Sequence, residues 1–435
     1  MPKFAHDVAL ITADRGCIEP LVFASQAVQA AAALPGDAAV VNLCEDRRKF
    51  LVTFAAAMLR RRTVLLPPSH APSAVAELRA RYPGSVVVDD AFDAAAGESV
   101  PPRANDGEDF IAAIGHTSGS TGAPVAHAKS FRSLAATTAL NAGVLAAELA
   151  RQGTSGRPWI VATVPSQHMY GLEMSVLLPL LAGFGIHCGK PLLPADVAIA
   201  LSGVPPPRVL VSTPVHLRAL VDSAVSFPEV AIVVSATAPL PRELARRIEA
   251  RLGAVLTEFF GSTETCVIAT RRTAREDGWR PYSGVRLQPG RSGTNVSAPW
   301  LAADQHLHDI VEVRDDGSFT IIGRGSDLIE VAGKRASLAD LTQRLQSLDG
   351  VEDAVVFQPP LREDGVAGRC AALVVAPGLT PRELARRMRS VVDAVFVPRP
   401  IVIVPKLPRN EVGKLPRERL LELLATAASR PRRGR

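Results

Sequence analysis

Cysteine is scarce and scattered in this chain of 435 residues: Cys17, Cys44, Cys188, Cys266 and Cys370 show no paired spacing, and their number is odd. That excludes a disulfide framework and a zinc site of the usual kind, so reduced thiols in a cytoplasmic protein are expected. Aromatic residues make up only 5%. Long apolar runs are missing too. The most apolar stretch, Met174 to Ile186, is broken by Pro179 and is shorter than the roughly 20 residues a bilayer span needs. A buried element is expected there, and no membrane role. The opening MPKFAHDVALITADRG has no signal-peptide pattern. No internal repeat stands out, and no recognised nucleic-acid-binding motif is present.

What remains is an ordinary globular composition, 47% hydrophobic and 21% charged. The length calls for two or three domains. The net charge of +6 is uneven. From Val331 to Arg435 there are 19 Lys+Arg against 11 Asp+Glu, leaving 30 against 32 for the rest. A basic C-terminal part suits an acidic protein partner; nucleic acid has only the charge in its favour.

Short β-branched runs alternate with Ala/Leu/Arg-rich stretches over the first three hundred residues. Asp37–Leu43 precedes Arg47–Arg61, Val209–Val211 precedes Pro214–Ala224, and Ala231–Ser235 precedes Pro241–Leu252. This alternation predicts an α/β architecture with largely parallel sheets. Near residue 309 the pattern changes to a β-hairpin, Ile310–Val313 and Ser318–Ile322 around Asp315-Asp316-Gly317, followed by a small polar stretch. Helices at Leu338–Leu348 and Pro381–Ser390, with strands at Ala354–Gln358, Ala371–Val375 and Ile401–Val404, predict a compact α+β domain. The expected division is a large α/β domain over 1–322, a hinge over 323–330, a small mobile α+β domain over 331–425 and a basic tail over 426–435.

The run His116-Thr117-Ser118-Gly119-Ser120-Thr121-Gly122 follows an apolar strand-like segment, Phe110 to Ile114. Small residues let a backbone turn tightly enough for amide N–H groups and hydroxyls to converge on a polyphosphate. No Gly-Lys-Ser/Thr closes the run, so it is not the Walker loop. Taken alone, it fits a Ser/Gly-rich surface loop equally well.

Other segments line up behind it. They are Pro165-Ser166-Gln167-His168-Met169-Tyr170-Gly171, Ser235-Ala236-Thr237-Ala238-Pro239-Leu240 and Glu258-Phe259-Phe260-Gly261-Ser262-Thr263-Glu264. Asp309, Gly323-Arg324, Gly333-Lys334-Arg335 and Pro408 to Arg417, with its Gly413-Lys414 pair, complete the set. In order and spacing, over roughly residues 40–420, the set resembles the adenylate-forming enzymes: acyl- and aryl-CoA ligases, adenylation domains and luciferases.

The resemblance implies ATP and Mg²⁺ as cofactors and assigns roles. Thr117, Ser118, Gly119, Ser120, Thr121 and Gly122 would hold the β- and γ-phosphates. Thr237, Ala238 and Pro239 would flank the adenine, with Phe260, followed by Gly261, at the usual stacking tyrosine position. Thr263 would contact the α-phosphate and Glu264 would bind Mg²⁺. Asp309, fourteen residues before Gly323, and Arg324 would reach the ribose. Lys414 would lie across the reacting carboxylate and α-phosphate. His168, Met169, Tyr170, Ser212 and Ser235 would line the acyl pocket, and Ser326 and Asp327 would form the hinge. The remaining histidines, His116, His127, His187, His216, His306 and His308, are read as structural, although His216 follows a segment that often lines the acyl pocket.

Three departures narrow the resemblance. Val125 stands where most relatives have lysine, with Lys129 four residues on; Phe260 lacks the tyrosine hydroxyl; Ser326 replaces the first hinge carboxylate. The short chain, Pro-Val-x-His-x-Lys and Gln167 to Glu173 resemble stand-alone ligases of aryl-polyene and xanthomonadin-type pigment pathways. Those load an aromatic acid onto an acyl carrier protein. The expectation is therefore an AMP-forming ligase that joins a hydroxybenzoate-like acid to a carrier-protein thiol. The alternatives are CoA as acceptor, and an impaired nucleotide-sensing or scaffolding protein motivated by Val125.

Overall fold

The computed structural model describes residues 8–12, 16–67, 70–92, 109–118, 124–290, 292–324, 328–331, 334–359, 369–410 and 413–428. Gly119, Ser120, Thr121 and Gly122 of the expected phosphate loop lie outside the described residues, as do Ser326, Asp327 and Gly333. The chain divides into two compact units, Met1–Val285 with Ala298–Ala303, and Arg286–Ser297 with Asp304–Arg435.

The first unit is the expected α/β fold. In its nine-stranded sheet, Ala9–Ile11, Gly185–His187, Trp159–Ala162, Arg208–Ser212, Ile232–Ser235 and Val255–Ser262 run parallel in that spatial order. Cys17–Ile18 at one edge, and Cys266–Arg271 then Arg280–Pro281 at the other, are antiparallel. A five-stranded sheet sets Val86–Val88, Val40–Asn42, Val64–Leu66 and Ile111–Ser118 in parallel, and Pro124–Ser130 returns antiparallel beside the last. Parallel strands buried on both faces explain the short β-branched runs. One face of the larger sheet packs Val161, Leu210, Val233 and Leu256 against Val197, Leu217, Leu244 and Ile248.

Local chemistry sets the helix ends. The Asp46 carboxylate accepts the Lys49 N–H at 2.9 Å and starts the helix Arg47–Leu59. Gly253, at φ 62°, ends Arg242–Leu252 in the left-handed conformation. The apolar stretch from Met174 is buried as expected: a π-helical turn, Glu173–Leu177, runs into the helix Leu178–Ala182 and the strand Gly185–His187. The helix Phe131–Arg151 is long and apolar enough to cross a membrane. Yet Thr137, Thr138, Asn141 and Glu148 are among its buried residues, a polar content suited to a protein interior.

In the second unit the expected hairpin is present: Asp309–Val313 pairs antiparallel with Phe319–Arg324. Its turn is set by the Asp316 carboxylate, which accepts the Ser318 N–H at 2.9 Å, and by Gly317 at φ 77°. Further along, Asp353–Phe357, Ala371–Val375 and Ile401–Ile403 form a three-stranded sheet. The helices Leu338–Gln346 and Pro381–Met388 bury Leu341, Leu345, Leu384 and Met388 in a core with Val356 and Val374. The α+β expectation holds there.

One glycine decides the geometry of the sheet edge that carries the expected metal ligand. A Cβ on Gly261 would stand 2.1 Å from the Cys266 carbonyl oxygen and 2.7 Å from the Val267 Cα. Both are backbone atoms and cannot rotate away, and the strand pairing already shifts register between Phe260 and Gly261. Gly261→Ala should therefore open this edge and cost about 1–3 kcal/mol, read as a lowered denaturation midpoint. An unchanged midpoint would show that the edge can yield without cost.

Candidate active site

Site segments from distant parts of the first unit meet at Gly115. It lies in the strand Ile111–Ser118, whose ladder runs to Ser118 opposite Pro124, so the backbones of Thr117 and Ser118 belong to the strand and not to the loop. A Cβ on Gly115 would fall 2.8 Å from Thr263 Cγ2 and 3.4 Å from Met169 Cε. Only a bare backbone admits both side chains. The structure thus brings Thr263, Met169 and the hairpin bearing the Ser/Gly run to one place.

Thr263 and Glu264 sit in a turn between the strands Val255–Ser262 and Cys266–Arg271. The turn closes on itself: the Ser262 N–H donates to Thr265 Oγ1 at 3.1 Å, and the Glu264 N–H donates to Ser262 Oγ at 3.2 Å. Trp300 adds its indole N–H to the Thr265 carbonyl at 3.1 Å. Two side chains of Pro124–Ser130 face the turn. His127 Nε2 stands 3.4 Å from Glu264 Oε1, and the Lys129 ammonium donates to the Glu264 backbone carbonyl. Burial disfavours ionisation of Glu264, but the Ser262 hydroxyl, its own backbone N–H, His127 and Lys129 outweigh it and hold the carboxyl below its ordinary range. Burial pushes His127 down, against the pull of Glu264. The result is an ionised oxygen donor beside an imidazole. Among the described residues no cluster of three or more His, Cys, Asp or Glu could hold a metal by itself.

The expected adenine and acyl residues lie at the C-terminal ends of the parallel strands, where open α/β sheets bind ligands. Ser212 pairs in register with Ser235, and Ser235 with Glu258. Thr163 Oγ1 lies 2.9 Å from Ser212 Oγ and 3.1 Å from His216 Nδ1. Ser235 is fully buried, and its hydroxyl has no hydrogen-bond partner among the described residues. Thr237 holds φ at 80°, a strained value for a β-branched residue; Ala238 beside it is half-buried and Pro239 exposed. The Phe260 ring lies 5.2 Å from that of Trp279, tilted by 45°. His168 is half-buried at the N-cap of Met169–Leu172. Tyr170 is differently employed: its hydroxyl lies 3.0 Å from both the Ser212 and the Val234 carbonyls, tying two strand ends together.

The second unit carries the other expected residues. Asp309 and Arg324 are directly paired across their hairpin, and the Asp309 carbonyl accepts the Thr294 hydroxyl at 2.7 Å. Lys414 is exposed on a turn held by Asn410, whose side-chain oxygen accepts the Lys414 N–H at 2.8 Å and whose N–H donates to the Lys414 carbonyl at 2.8 Å. Arg409 anchors that turn. It donates to the Gly413 carbonyl at 2.9 Å and grips Asp353 with two bonds of 3.0 and 2.9 Å.

Sequence reasoning missed several residues that shape the site. Arg409 and Asp353 are 56 positions apart, so no local pattern links them. His127 reads as a structural histidine from sequence, although its spacing to Lys129 puts both on one strand face. Arg47 is 2% exposed. It donates to the carbonyls of Ala162 at 3.1 Å and Val164 at 3.0 Å, to Ser166 Oγ at 3.3 Å and to Ser175 Oγ, fixing the segment that leads into His168. Burial brings its pKa down to about 10.

The chain is similar to known proteins both in sequence and in fold. The family model described as AMP-binding enzyme matches residues 28–292. A 4-coumarate–CoA ligase of Halorhodospira halophila is 29% identical over 69% of this chain and 73% of its own. A 3-hydroxybenzoate–CoA/4-hydroxybenzoate–CoA ligase of Thauera aromatica is 24% identical over 71% of this chain and 65% of its own. Among solved structures, the o-succinylbenzoate CoA synthetase of Bacillus subtilis with its acyl-adenylate intermediate superposes with a TM-score of 0.79 at 18% identity, covering 95% of each chain. The large α/β part and smaller C-terminal part are therefore those of adenylate-forming enzymes. With its family match running from residue 28 past the Glu264 turn to residue 292, this chain belongs to the AMP-binding enzymes, whose chemistry is ATP-dependent adenylation and ligation of acids.

Proposed function

We propose that this enzyme adenylates a hydroxybenzoate-like aromatic acid and transfers it to the phosphopantetheine thiol of an acyl carrier protein. The packing of Thr263 and Met169 against Gly115, in the strand that leads to the Ser/Gly run, is the observation that supports the reading. The acid's carboxylate oxygen attacks the α-phosphorus, the bond to the pyrophosphate oxygen breaks, and an acyl adenylate forms. The thiolate then attacks the acyl carbonyl and AMP leaves.

The residues fit Mg²⁺. Glu264 is a single ionised carboxylate, 29% exposed at its side chain, and Mg²⁺ commonly takes one or two carboxylates plus phosphate oxygens and water. When bound, the ion neutralises polyphosphate charge. Thr263 is assigned the α-phosphate. Lys414 is assigned the reacting oxygens, where its charge offsets the repulsion between two anions. Asp309 and Arg324 are assigned the ribose, Thr237 to Pro239 and Phe260 the adenine, and 323–330 the hinge about which residues 331–425 turn between the two half-reactions.

Two observations support the finer parts. The unpartnered Ser235 hydroxyl offers a hydrogen bond to a ring substituent, and the two relatives named above are ligases of phenolic acids by name. For the acceptor, the helix Pro381–Met388 exposes Arg382 and Arg386, with Arg389 exposed just beyond it. Such a surface suits the acidic face of a carrier protein. CoA is the competing acceptor, since its phosphates suit the same charge.

Three measurements test the reading. Acid-dependent ATP–pyrophosphate exchange across aromatic and aliphatic acids should respond to hydroxylated benzoates, and Lys414→Ala should lower it by about 10²–10³-fold; full exchange in that variant rejects the assignment of the lysine. Ser235→Ala should reduce the preference for hydroxylated over unsubstituted benzoate by about 3–10-fold, the worth of one hydrogen bond. A preference that stays put removes Ser235 from the pocket. Arg386→Glu with Arg389→Glu should slow carrier loading but leave exchange intact. Loss of both half-reactions together would reject the docking surface.

A further inference from the structure

The residue usual in this family's phosphate loop, a lysine, is Val125 here, and it is 47% exposed. Lys129 is the nearest cation along the strand, yet the structure employs it elsewhere. It is 4% exposed, and its ammonium is committed to the backbone carbonyl of Glu264. That bond and its burial hold the ammonium against the Glu264 peptide. His127, two residues earlier on the same strand face, is the side chain that meets the Glu264 carboxylate itself.

A second buried charge acts on the same turn from another element. Glu173 is 2% exposed and begins the π-helical turn Glu173–Leu177. Its carboxylate accepts the Val267 N–H at 3.1 Å, three residues past Glu264. Burial pushes its pKa up to about 7, against the opposing pull of that N–H and of Lys129. π-Turns are rare and recur at functional sites because the widened backbone re-aims side chains. Here the widening aims an acid from the acyl-pocket helix into the base of the Glu264 turn. Lys129 is among the groups that favour the charged form of Glu173.

We propose that Lys129 and Glu173 are positioning residues that brace the Ser262–Val267 turn from both sides, so that the Glu264 carboxylate stands fixed toward the metal, and that Lys129 does not substitute for the missing loop lysine on the phosphates. The inference rests on the assignment of Glu264 as the Mg²⁺ ligand. Rigidity matters at such a site, because Mg²⁺ demands near-octahedral geometry and one misplaced carboxylate removes most of the protein's contribution.

The two roles for Lys129 differ in a binding measurement. A phosphate ligand contributes to ATP affinity with or without metal; a brace for the metal ligand contributes only to the tightening that Mg²⁺ brings. Calorimetric titration of the full chain with ATP, in Mg²⁺ and in EDTA, separates them. Lys129→Met and Glu173→Gln should each remove about 10-fold or more of the Mg²⁺-dependent tightening, leave the affinity in EDTA within about twofold, and Lys129→Arg should restore part of the loss. Equal weakening in Mg²⁺ and EDTA for Lys129→Met would make it a phosphate ligand and overturn the inference. Should Lys129→Met fail to fold, the near-isosteric Glu173→Gln decides: unaltered Mg²⁺ dependence there rejects the brace. A wild-type chain whose ATP affinity ignores Mg²⁺ removes the metal assignment and this inference with it. The acid panel in the exchange assay tests the proposed substrate separately.

Discussion

The groups that meet Glu264 from the smaller sheet do so through the ladder between Ile111–Ser118 and Pro124–Ser130, because antiparallel pairing fixes the face each residue takes. Gly115 is paired with His127, and Ala113 with Lys129. His127 and Lys129 therefore point the same way, two residues apart. A one-residue slip of Pro124–Ser130 in this pairing would turn both away from the turn. The same ladder sets the span that residues 119–123 must bridge, from Ser118 to Pro124. The Glu264 turn and the helix Met169–Leu172 thus both meet this one ladder.

Charge is divided along the chain in a way that suits the proposed chemistry. A carboxylate approaching a polyphosphate meets repulsion that only nearby cations or a metal can offset. The first unit uses two of its buried cations, Arg47 and Lys129, on backbone carbonyls. The lysine assigned to the reacting oxygens belongs instead to the second unit, on a turn anchored by Arg409 and Asp353. A cation carried on a separate compact unit can be brought to one half-reaction and withdrawn from the next. One fixed in the first unit would remain for both.

Much of the fold was legible because its signals are local. β-Branched runs alternating with helical stretches give parallel sheets, and Asp315-Asp316-Gly317 gives a hairpin turn, whatever surrounds them. Helix ends were read to within a few residues for the same reason: Pro241 and Gly253 bracket Arg242–Leu252. The order of the motifs was legible too, and the structure packs Thr263 and Met169 together against Gly115. Roles set by long-range contact were not. Nothing near Tyr170 in the sequence says that its hydroxyl ties the ends of two strands. Nothing near Glu173 says that its partners are Val267 and Lys129. Arg47 looks like one more surface arginine in Asp46-Arg47-Arg48-Lys49, yet it is the member of that run buried to hold Val164 and Ser166.

Arg47 and Lys129 share a logic that bears on why the acid of this site remains available. A buried cation needs a partner, and the stronger choice for Lys129 by charge alone would be the Glu264 carboxylate. That pairing would fill the oxygen a metal must use, so binding the metal would first require breaking a sheltered ion pair. By donating to the Glu264 carbonyl instead, Lys129 fixes the peptide and lends its positive field to the carboxylate without occupying it. The weaker neighbour at 3.4 Å is His127, an imidazole whose charge burial disfavours. Such a neighbour steadies the carboxylate and is easily outcompeted by a divalent ion. Under the proposed metal role, the permanent charge lies on the Glu264 backbone and only an imidazole stands beside its carboxylate.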